Sequence, residues 1–392
     1  MISNPIAQQP ITLEVNGIPF TGFVDPISAS CSVENLCGTF SFTTTQPKGN
    51  GFLGDNTFPI KKGDKCRVLI NNISIVNGFV EEITVQYDAH NHTVSLEGRD
   101  KTCDIVDSTL DGKITFHAPL DLVSITKQVL DYLGINDIEV AANLEIKPFS
   151  QGEIISSEVG QTAFEFIEYY AKKRHVLMTT DGNGNILFTQ SGTQQLQTVL
   201  ANSERILSKP IIKSASVNLS DTRKFYKYVA YAQTNSAGMQ IVNDFNQLPV
   251  DQEVSMISKP AYDTDIKRTS RVYNFMSDTS HLDQQDLDTR AVWEANVRTA
   301  NGFKYGVTVQ GFIAPQDNLI WRPNQLVTVV DDLCNVNSVL LVSSVKYSYS
   351  MDSGSETSLE LVNKDAFTTK ILDKETKTKT EKTHKEGIIY KF

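Results

Sequence analysis

The feature that most constrains the fold is a β-rich stretch that occurs twice along the chain. Residues 63–101 align with residues 324–365, and the offset between the two copies changes only from 261 to 263. Both copies alternate apolar and polar residues, and the triplet Ser95–Glu97 recurs as Ser358–Glu360. Any two β meanders share such alternation, but here the strand order and the turn positions agree as well. The pattern therefore predicts a duplicated β domain.

The N-terminal part of the chain predicts an all-β domain. Asn16-Gly17 lies between two alternating runs, which is the strongest short signal for a hairpin. A polar loop is expected over residues 46–57. Short strands with turn residues between them indicate a sandwich or a barrel rather than an α/β fold. The further strands are predicted at residues 38–45, 66–71, 74–88 and 92–100.

The middle of the chain changes to a helical period. Apolar residues at spacings of three and four predict a helix that ends at Gly134, and these residues are Leu122, Ile125, Val129 and Leu133. A second helix opens with a capping box formed by Thr162 and Glu165. Its apolar side carries Phe166, Ile167 and Tyr170. A hairpin that turns at Asp181–Asn185 completes a small inserted α+β module.

The last part of the chain returns to strands around one helix. The helix is predicted near residues 283–300 and ends at Asn301-Gly302. Apolar residues at a spacing of four mark its buried side, and they are Leu287, Ala291 and Ala295. The strands are predicted at residues 211–219, 225–233, 307–312, 326–330 and 340–350.

The predicted fold class is α+β, mainly antiparallel β. It combines two related β-barrel-like domains, the inserted α+β module and a flexible C-terminal tail. The first β-barrel-like domain spans 1–108, the inserted module 109–200, the second β-barrel-like domain 201–365 and the tail 366–392. The tail is rich in Lys, Thr and Glu, which predicts a charged, disordered segment.

Composition excludes several classes of protein. The chain has 392 residues with 36 basic and 46 acidic side chains, so its net charge of −10 disfavours a general nucleic-acid binder. No apolar run is long enough to span a bilayer, and the N-terminus lacks the pattern of a signal peptide, so no membrane insertion is expected. Five cysteines without a C-x-x-C pair predict reduced thiols, with a Cys31–Cys37 bridge as the alternative.

Three motifs could bind a ligand, and each has a plainer interpretation. Gly49–Gly54 matches G-x-G-x-x-G, but its loop-like flanks disfavour a nucleotide site. Asp181–Asn185 resembles the start of a calcium loop but lacks the later Gly and Glu, which favours a turn. Asp88, His90 and His92 could hold a metal on one strand face, yet a hairpin loop is expected there. No cofactor or metal ion is expected.

No motif recommends hydrolytic catalysis, because the chain has neither G-x-S-x-G nor H-E-x-x-H. The chain is therefore expected not to be an enzyme. The densest basic cluster before the tail consists of Lys267, Arg268 and Arg271. This cluster either pairs locally with Asp263 and Asp265 or forms a partner interface.

The duplication has a geometric consequence for assembly. A trimer of a chain with two related β domains presents six similar domains in a ring. Such a ring has true threefold symmetry and pseudo-sixfold symmetry. It suits a protein that joins a sixfold object to a threefold one, which is a hypothesis drawn from the repeat alone.

Several motifs along residues 10–365 occur in an order that resembles one family. The most specific is the run GRDKTCDIVD, whose residues Gly98, Arg99, Asp100, Asp104 and Asp107 are interpreted as structural. The others are GIPFTGF, RHVLMTT followed by GNILF, DTDIKRTSR, and WRPNQLVTV. In these motifs the chain resembles the baseplate hub proteins of contractile-tailed bacteriophages, the phage Mu hub-like, late control family. The Lys/Thr-rich C-terminus has no counterpart in this pattern.

The resemblance implies a homotrimer whose two related β domains form a torus. This torus would connect the hexameric tail tube protein to the central spike protein, with other baseplate proteins around it. It implies a non-enzymatic adaptor of the virion tail baseplate, assembled in the host cytoplasm; a hub of a phage-derived injection machine is the open alternative. DNA would pass through the channel without specific binding, and the net charge predicts an acidic lumen.

The rival interpretation is a carbohydrate-binding or peptidoglycan-acting tail protein. It requires exposed aromatic residues in a groove or two carboxylates at catalytic separation. Tyr226, Tyr228 and Tyr231 could supply an aromatic platform, although strand packing explains them equally well.

Overall fold

A computed structural model provides the fold. It describes residues 11–20, 23–45, 60–88, 92–111, 114–117, 120–149, 154–174, 176–202, 211–232, 256–276, 284–364 and 366–367. The chain divides into two compact units, one built mainly from Met1–Ser216 and Tyr305–Leu361 and the other mainly from Val217–Lys304. The four-part division expected from the sequence stays a prediction. The predicted loop over 46–57 and all but two residues of the predicted tail lie outside the described residues.

The N-terminal β region forms as the alternation predicts. Asn16 and Gly17 adopt positive φ values of 51° and 79°, so the predicted hairpin is confirmed. The strands are β1 (Ile11–Val15), β2 (Ile18–Phe20), β3 (Phe23–Ser32), β4 (Thr39–Thr45), β5 (Lys65–Ile70), β6 (Ile73–Tyr87) and β7 (His92–Asp100).

The middle module contains the two predicted helices. Gly134 ends the first with φ of 74°, and both hydrogen bonds of the Thr162–Glu165 capping box are present in the second. Their apolar faces lie in one buried cluster with strands of the same module. One short helix, α1, was not predicted. The elements are α1 (Cys103–Asp107), β8 (Thr115–His117), α2 (Leu122–Leu133), β9 (Val140–Ala142), β10 (Ile154–Ser156), α3 (Ala163–Lys173), β11 (Leu177–Thr180) and β12 (Ile186–Thr189).

The last region of the chain contains strands before and after the predicted long helix. The predicted apolar face is confirmed, because Leu287, Ala291 and Ala295 are buried. The elements are β13 (Gln194–Ala201), β14 (Ile212–Leu219), β15 (Lys227–Ala232), β16 (Met256–Ile257), β17 (Ala261–Tyr262), β18 (Val272–Met276), α4 (Gln284–Asn301), β19 (Phe303–Gln310), β20 (Ile313–Ala314), β21 (Leu319–Ile320), β22 (Gln325–Asp331), β23 (Val336–Ser350) and β24 (Gly354–Asn363).

One large sheet of 13 strands is built from two similar halves. The first half-sheet has the order β3-β4-β7-β6-β5-β1, and the second half-sheet has the order β14-β19-β24-β23-β22-β13. Antiparallel pairing of β3 with β23 joins the two halves. The halves differ in the direction of one strand, since β1 runs antiparallel to β5 whereas β13 runs parallel to β22. They also differ in that β2 pairs with β1 and extends the first half-sheet by one strand.

Local geometry also repeats between the half-sheets. β6 and β23 are both 15 residues long, and each is preceded by a turn with an Asn at positive φ, Asn72 and Asn335. Thr43 lies within 3.5 Å of Ser95 through their hydroxyls, and Thr308 lies within 3.2 Å of Ser358 in the same way. The duplication predicted from the sequence is therefore present as matched strands, turns and cross-strand contacts.

The mainly antiparallel β class is confirmed. The pairings among the described strands trace an open sheet with β2 and β14 at the ends of the longest path. The barrel-like shape of the two β domains stays a prediction. Across the described residues, no helix combines the length and apolar character needed to cross a bilayer. All five cysteines are free thiols in the structure.

Candidate functional site

The most specific sequence motif lies where β7 leaves the sheet for α1. Gly98 and Gly78 face each other's strands with no room for a side chain. A Cβ at Gly98 would lie 2.2 Å from the carbonyl oxygen of Phe79 and 2.2 Å from Phe40 Cζ. A Cβ at Gly78 would lie 1.8 Å from the carbonyl oxygen of Arg99. Both glycines therefore permit backbone contact that any other residue would prevent.

Arg99 connects the sheet to the short helix. Its guanidinium donates to both oxygens of Glu81, at 2.5 and 2.8 Å, and to both oxygens of Asp107, at 3.2 and 2.5 Å. Hydrogen bonds from Arg99 lower the pKa of Asp107, and the bonds to Glu81 and Asp107 raise the pKa of Arg99 above its ordinary range. The motif residues thus hold β6, β7 and α1 together.

Asp100 is the buried member of the motif. Its Oδ1 accepts a hydrogen bond from the Thr102 backbone N–H at 3.0 Å, which orders the chain just before α1. Burial raises the pKa of Asp100 to about 6, although the hydrogen bond from Thr102 opposes the shift. Asp104, by contrast, is exposed on α1. These contacts support the structural interpretation of the motif, which stays a prediction.

The raised pKa of Asp100 predicts a specific dependence of stability on pH. The folded chain holds the Asp100 proton up to about pH 6, whereas the unfolded chain releases it near 3.8. This residue therefore favours the folded state increasingly as pH falls from 7 toward 4. Asp100→Asn keeps the oxygen acceptor for Thr102 but does not titrate. At pH 7.5 this variant should melt at a higher temperature than the parent chain, because the parent carries a buried charge there. The difference in melting temperature should shrink as the pH is lowered to 5. The exposed Asp104→Asn serves as the control, and a pH-independent difference for Asp100→Asn would contradict the prediction.

The WRPNQLVTV motif also makes contacts that support the fold. Trp321 is fully buried, and its carbonyl oxygen accepts a hydrogen bond from the Tyr347 hydroxyl. Asn324, at φ of 71°, accepts from the Gly192 N–H at 2.7 Å and donates to the Gln190 carbonyl at 2.8 Å. The motif therefore connects β22 and β23 to the loop before β13.

Arg322 was not singled out from the sequence, yet it joins three parts of one compact unit. Its guanidinium donates to the carbonyl oxygens of Ser74, at 3.0 Å, and Asp181, at 3.4 Å. It borders a cleft of about 270 Å³ that also includes Cys31 and Tyr347. A charged residue next to a motif tryptophan was the only sequence signal for it. Its donors are directed at backbone carbonyls, so it acts as a support.

The ion pair predicted between the basic cluster and Asp263 is not present in the described structure. Asp263 pairs with Lys224 at 3.8 Å and accepts from the Thr299 hydroxyl at 2.7 Å, so its pairing with the cluster is wrong. The physical reason is that Asp263 is buried beside α4, whereas Lys267 and Arg268 are exposed. Among the described residues neither of the two forms an ion pair.

Arg271, the third member of the cluster, turns toward its own domain. It donates to the Thr222 carbonyl at 2.7 Å, and its guanidinium carbon lies 5.1 Å from the centre of the Phe225 ring. An interface role for Lys267, Arg268 and Arg271 stays a prediction, with Lys267 and Arg268 the accessible members.

The tyrosines proposed as an aromatic platform do not form one. Tyr228 is fully buried against α4, and its hydroxyl accepts from the Phe225 N–H at 2.9 Å. Tyr226 packs against Tyr262 with ring centres 5.4 Å apart, and Tyr231 is half-buried. The predicted platform is therefore wrong at Tyr228, because the alternation of side chains along β15 directs this residue into the core.

The other ligand motifs are turns or lie outside the described residues. Asp181 accepts from the backbone N–H groups of Asn183 and Asn185 at 2.7 and 3.2 Å, so the predicted turn is confirmed. His90 and the Gly49–Gly54 segment lie outside the described residues. Within the part of the chain that the structure describes, no group of three or more His, Cys, Asp or Glu side chains could hold a metal ion.

Three family models match successive parts of the chain. The N-terminal domain of the Mu phage baseplate assembly protein GpP-like family matches residues 10–100. The second domain of the baseplate hub protein gp44-like family matches residues 102–190, and the fourth domain of the Mu phage baseplate assembly protein GpP family matches residues 284–370. Together they cover more than half of the chain, and they define a class, the baseplate proteins of phage tails.

Known proteins extend the match along about nine tenths of the chain. The baseplate hub protein gp44 of Escherichia phage Mu is 22% identical over 359 residues, which are 91% of this chain and 88% of that protein. The 43 kDa tail protein of prophage MuSo2 from Shewanella oneidensis is 26% identical with a TM-score of 0.74, covering 92% and 99% of the two chains. The tail protein from Neisseria meningitidis MC58 is 16% identical with a TM-score of 0.73, covering 92% and 98%. The chain belongs to the Mu-type baseplate hub protein family, which confirms the resemblance seen in its motifs.

Proposed function

We propose that the chain is a structural hub of a contractile-tail baseplate and works as a homotrimer. The observation that carries this proposal is the pair of similar half-sheets within one chain, joined edge to edge by β3 and β23. Three chains place six half-sheets in a ring with pseudo-sixfold symmetry. Such a ring matches a hexameric tail tube on one side and a trimeric central spike protein on the other.

The partners of this hub follow from its place in the baseplate. They are the tail tube protein, the central spike protein and other baseplate proteins, and assembly takes place in the host cytoplasm before the virion is complete. The net charge of −10 favours an acidic lumen that lets DNA pass without specific binding. An electrostatic potential map of the assembled ring with a strongly basic lumen would contradict this part. The same symmetry argument applies to a phage-derived injection machine, which genome neighbours would distinguish.

The mass of the assembled protein tests the trimer directly. Light scattering on a sizing column is expected to give about 131 kDa, three times the chain mass of 43.6 kDa. Class averages in negative stain should then show six similar lobes around a channel. A stable dimer would contradict the proposal. A single-chain mass that persists after co-expression with the spike protein would contradict it as well.

The proposed hub acts without catalysis. The aromatic platform that the rival carbohydrate-binding function needs is absent at Tyr228, which is buried. Zymography of the purified protein on peptidoglycan is expected to show no clearing, with lysozyme as the positive control. A cleared zone that co-purifies with the chain would support the rival function instead.

A further inference from the structure

Within the chain, the pairing of β3 with β23 forms a joint between the two half-sheets. β23 is long enough to pair with two strands along the same edge: its first part pairs with β22, and Ser344–Tyr349 pairs antiparallel with β3. In this joint Tyr347 lies opposite Ala29 and Val345 opposite Cys31. Tyr347, Val345 and Ala29 are all buried, so the joint has an apolar core.

The equivalent strand of the first half-sheet has a free edge. β6 corresponds to β23 with an offset of 262, so Glu82–Tyr87 corresponds to Ser344–Tyr349. The first part of β6 pairs with β5, as that of β23 pairs with β22. Glu82–Tyr87 pairs with β7 on one side, and on the other side no strand pairs with it among the described residues.

The equivalent of β3 in the second half-sheet is β14, and it also has a free edge. The contacts Thr43–Ser95 and Thr308–Ser358 make Thr43 and Thr308 equivalent, and therefore also Ser41 and Gly306. Ser28 lies opposite Ser41, and Ser216 lies opposite Gly306, where a Cβ would be 3.1 Å from the Ser216 hydroxyl. Ser216 thus corresponds to Ser28. β14 pairs with β19 alone among the described strands.

These equivalences define the register of a second joint. Transferring the register of the joint within the chain places Val85 opposite Val217, Ile83 opposite Leu219 and Gln86 opposite Ser216. Of the apolar side chains at these positions, Val85 and Leu219 are exposed in the single chain, and Ile83 and Val217 are half-buried. The counterparts of Val85, Ile83 and Val217 within the chain, which are Tyr347, Val345 and Ala29, are all buried. Val85 is 38% exposed and Leu219 43% exposed, and Tyr87, the next residue on this face of β6, is 83% exposed. Exposed apolar residues on a free strand edge indicate a site for strand addition.

We propose that β14 of one chain pairs antiparallel with Glu82–Tyr87 of the next chain in the trimer. This inference rests on the proposed trimer and identifies the edges by which a second copy binds. The contact is heterologous, since each chain offers one β14 edge and one β6 edge, and it closes after three copies. Joints within chains then alternate with joints between chains around a ring of six half-sheets.

Cysteine pairs test the register. Directly opposite residues in an antiparallel pair have Cα atoms about 4.5 to 5.5 Å apart, which a disulfide can span. Val85→Cys/Val217→Cys and Gln86→Cys/Ser216→Cys cover both alternating positions of the ladder. Mild oxidation of either double variant should give a covalent trimer on a non-reducing gel. Each single variant, with the five native thiols intact, is the control and should remain a monomer on the gel.

A matched pair of arginine variants tests the same edge without relying on a disulfide. Val85→Arg places a charge in the apolar centre of the joint. The protein concentration at which half of the trimer has dissociated should therefore rise about tenfold or more, as measured by light scattering over a dilution series. Val159→Arg is the control, because Val159 is 81% exposed and lies outside both edges. A melting curve for each variant establishes that the chain is folded.

The outcomes separate this inference from the proposed function. A trimeric parent chain with neither pair-specific cross-links nor an effect of Val85→Arg would overturn the interface and leave the trimer intact. A parent chain that is not trimeric, together with no cross-linking, would overturn both. Cross-linked trimers from the double variants alone support both.

Discussion

Replacing Gly78 with alanine is expected to destabilise the first half-sheet by about 3 kcal/mol or more, or to prevent folding. Gly78 lies in β6 between β5 and β7, and a Cβ there would be 1.8 Å from the Arg99 carbonyl oxygen. Backbone on the neighbouring strand cannot move aside as a side chain can, so the strands must separate. Urea unfolding, or the soluble fraction when no folded protein is recovered, measures the effect.

The matched control is Gly306→Ala. Gly306 also lies in a central strand, β19, but its nearest neighbour would be the rotatable hydroxyl of Ser216 at 3.1 Å. This substitution is expected to change the free energy of unfolding by about 1 kcal/mol or less. Equal losses for the two variants would show that strand glycines matter here for a general reason and would refute the close-contact argument.

Asp331→Ala is expected to cost about 3 to 5 kcal/mol of the free energy of unfolding. The Asp331 carboxylate is buried at the end of β22, where it accepts from the Tyr305 hydroxyl at 2.6 Å and from the N–H groups of Leu333 and Cys334, each at 3.0 Å. The Asn202 side chain also donates to it. Alanine would leave these buried donors without an acceptor, and chemical denaturation measures the loss.

Two variants separate the network from the charge. Asp332→Ala, at the exposed neighbouring residue, should lie within about 0.5 kcal/mol of the parent chain. Burial by itself would raise the pKa of Asp331, but hydrogen bonds from Tyr305 and Cys334 outweigh it and lower that pKa below 3.8. The stability from the charge is therefore present at neutral pH and lost as pH falls below about 4. Asp331→Asn should lack this part of the acid sensitivity; an identical acid midpoint for Asp331→Asn and the parent chain would contradict the assignment.

Local elements of the fold could be predicted because local chemistry determines them. Asn16-Gly17 gave the first hairpin, Gly134 the end of α2, and the Thr162–Glu165 box the start of α3. The short helix α1 was missed, since five residues carry too little periodicity to distinguish it from a turn.

Long-range pairing could not be predicted in the same way. The sequence repeat indicated two related β domains, but nothing in it identified β3 as the strand that pairs with β23. The partner of Asp263 was missed for a similar reason, because Lys224 is 39 residues away and the basic cluster lies closer in sequence. Arg322 reaches the Ser74 carbonyl across 248 residues. Patterns in the sequence predict contacts between residues that are close along the chain, whereas these contacts depend on the tertiary arrangement of distant segments.

The joint between β3 and β23 also affects how the chain is made. Ile27–Ser32 pairs with residues 344–349, so β3 leaves the ribosome long before its partner exists. At about 5 to 20 residues per second, the edge of β3 waits roughly 15 to 60 seconds. During that time it is open to mispairing with other nascent chains. A chain that stops before residue 344 cannot form the joint, so the two half-sheets are joined only when nearly the whole chain has been made.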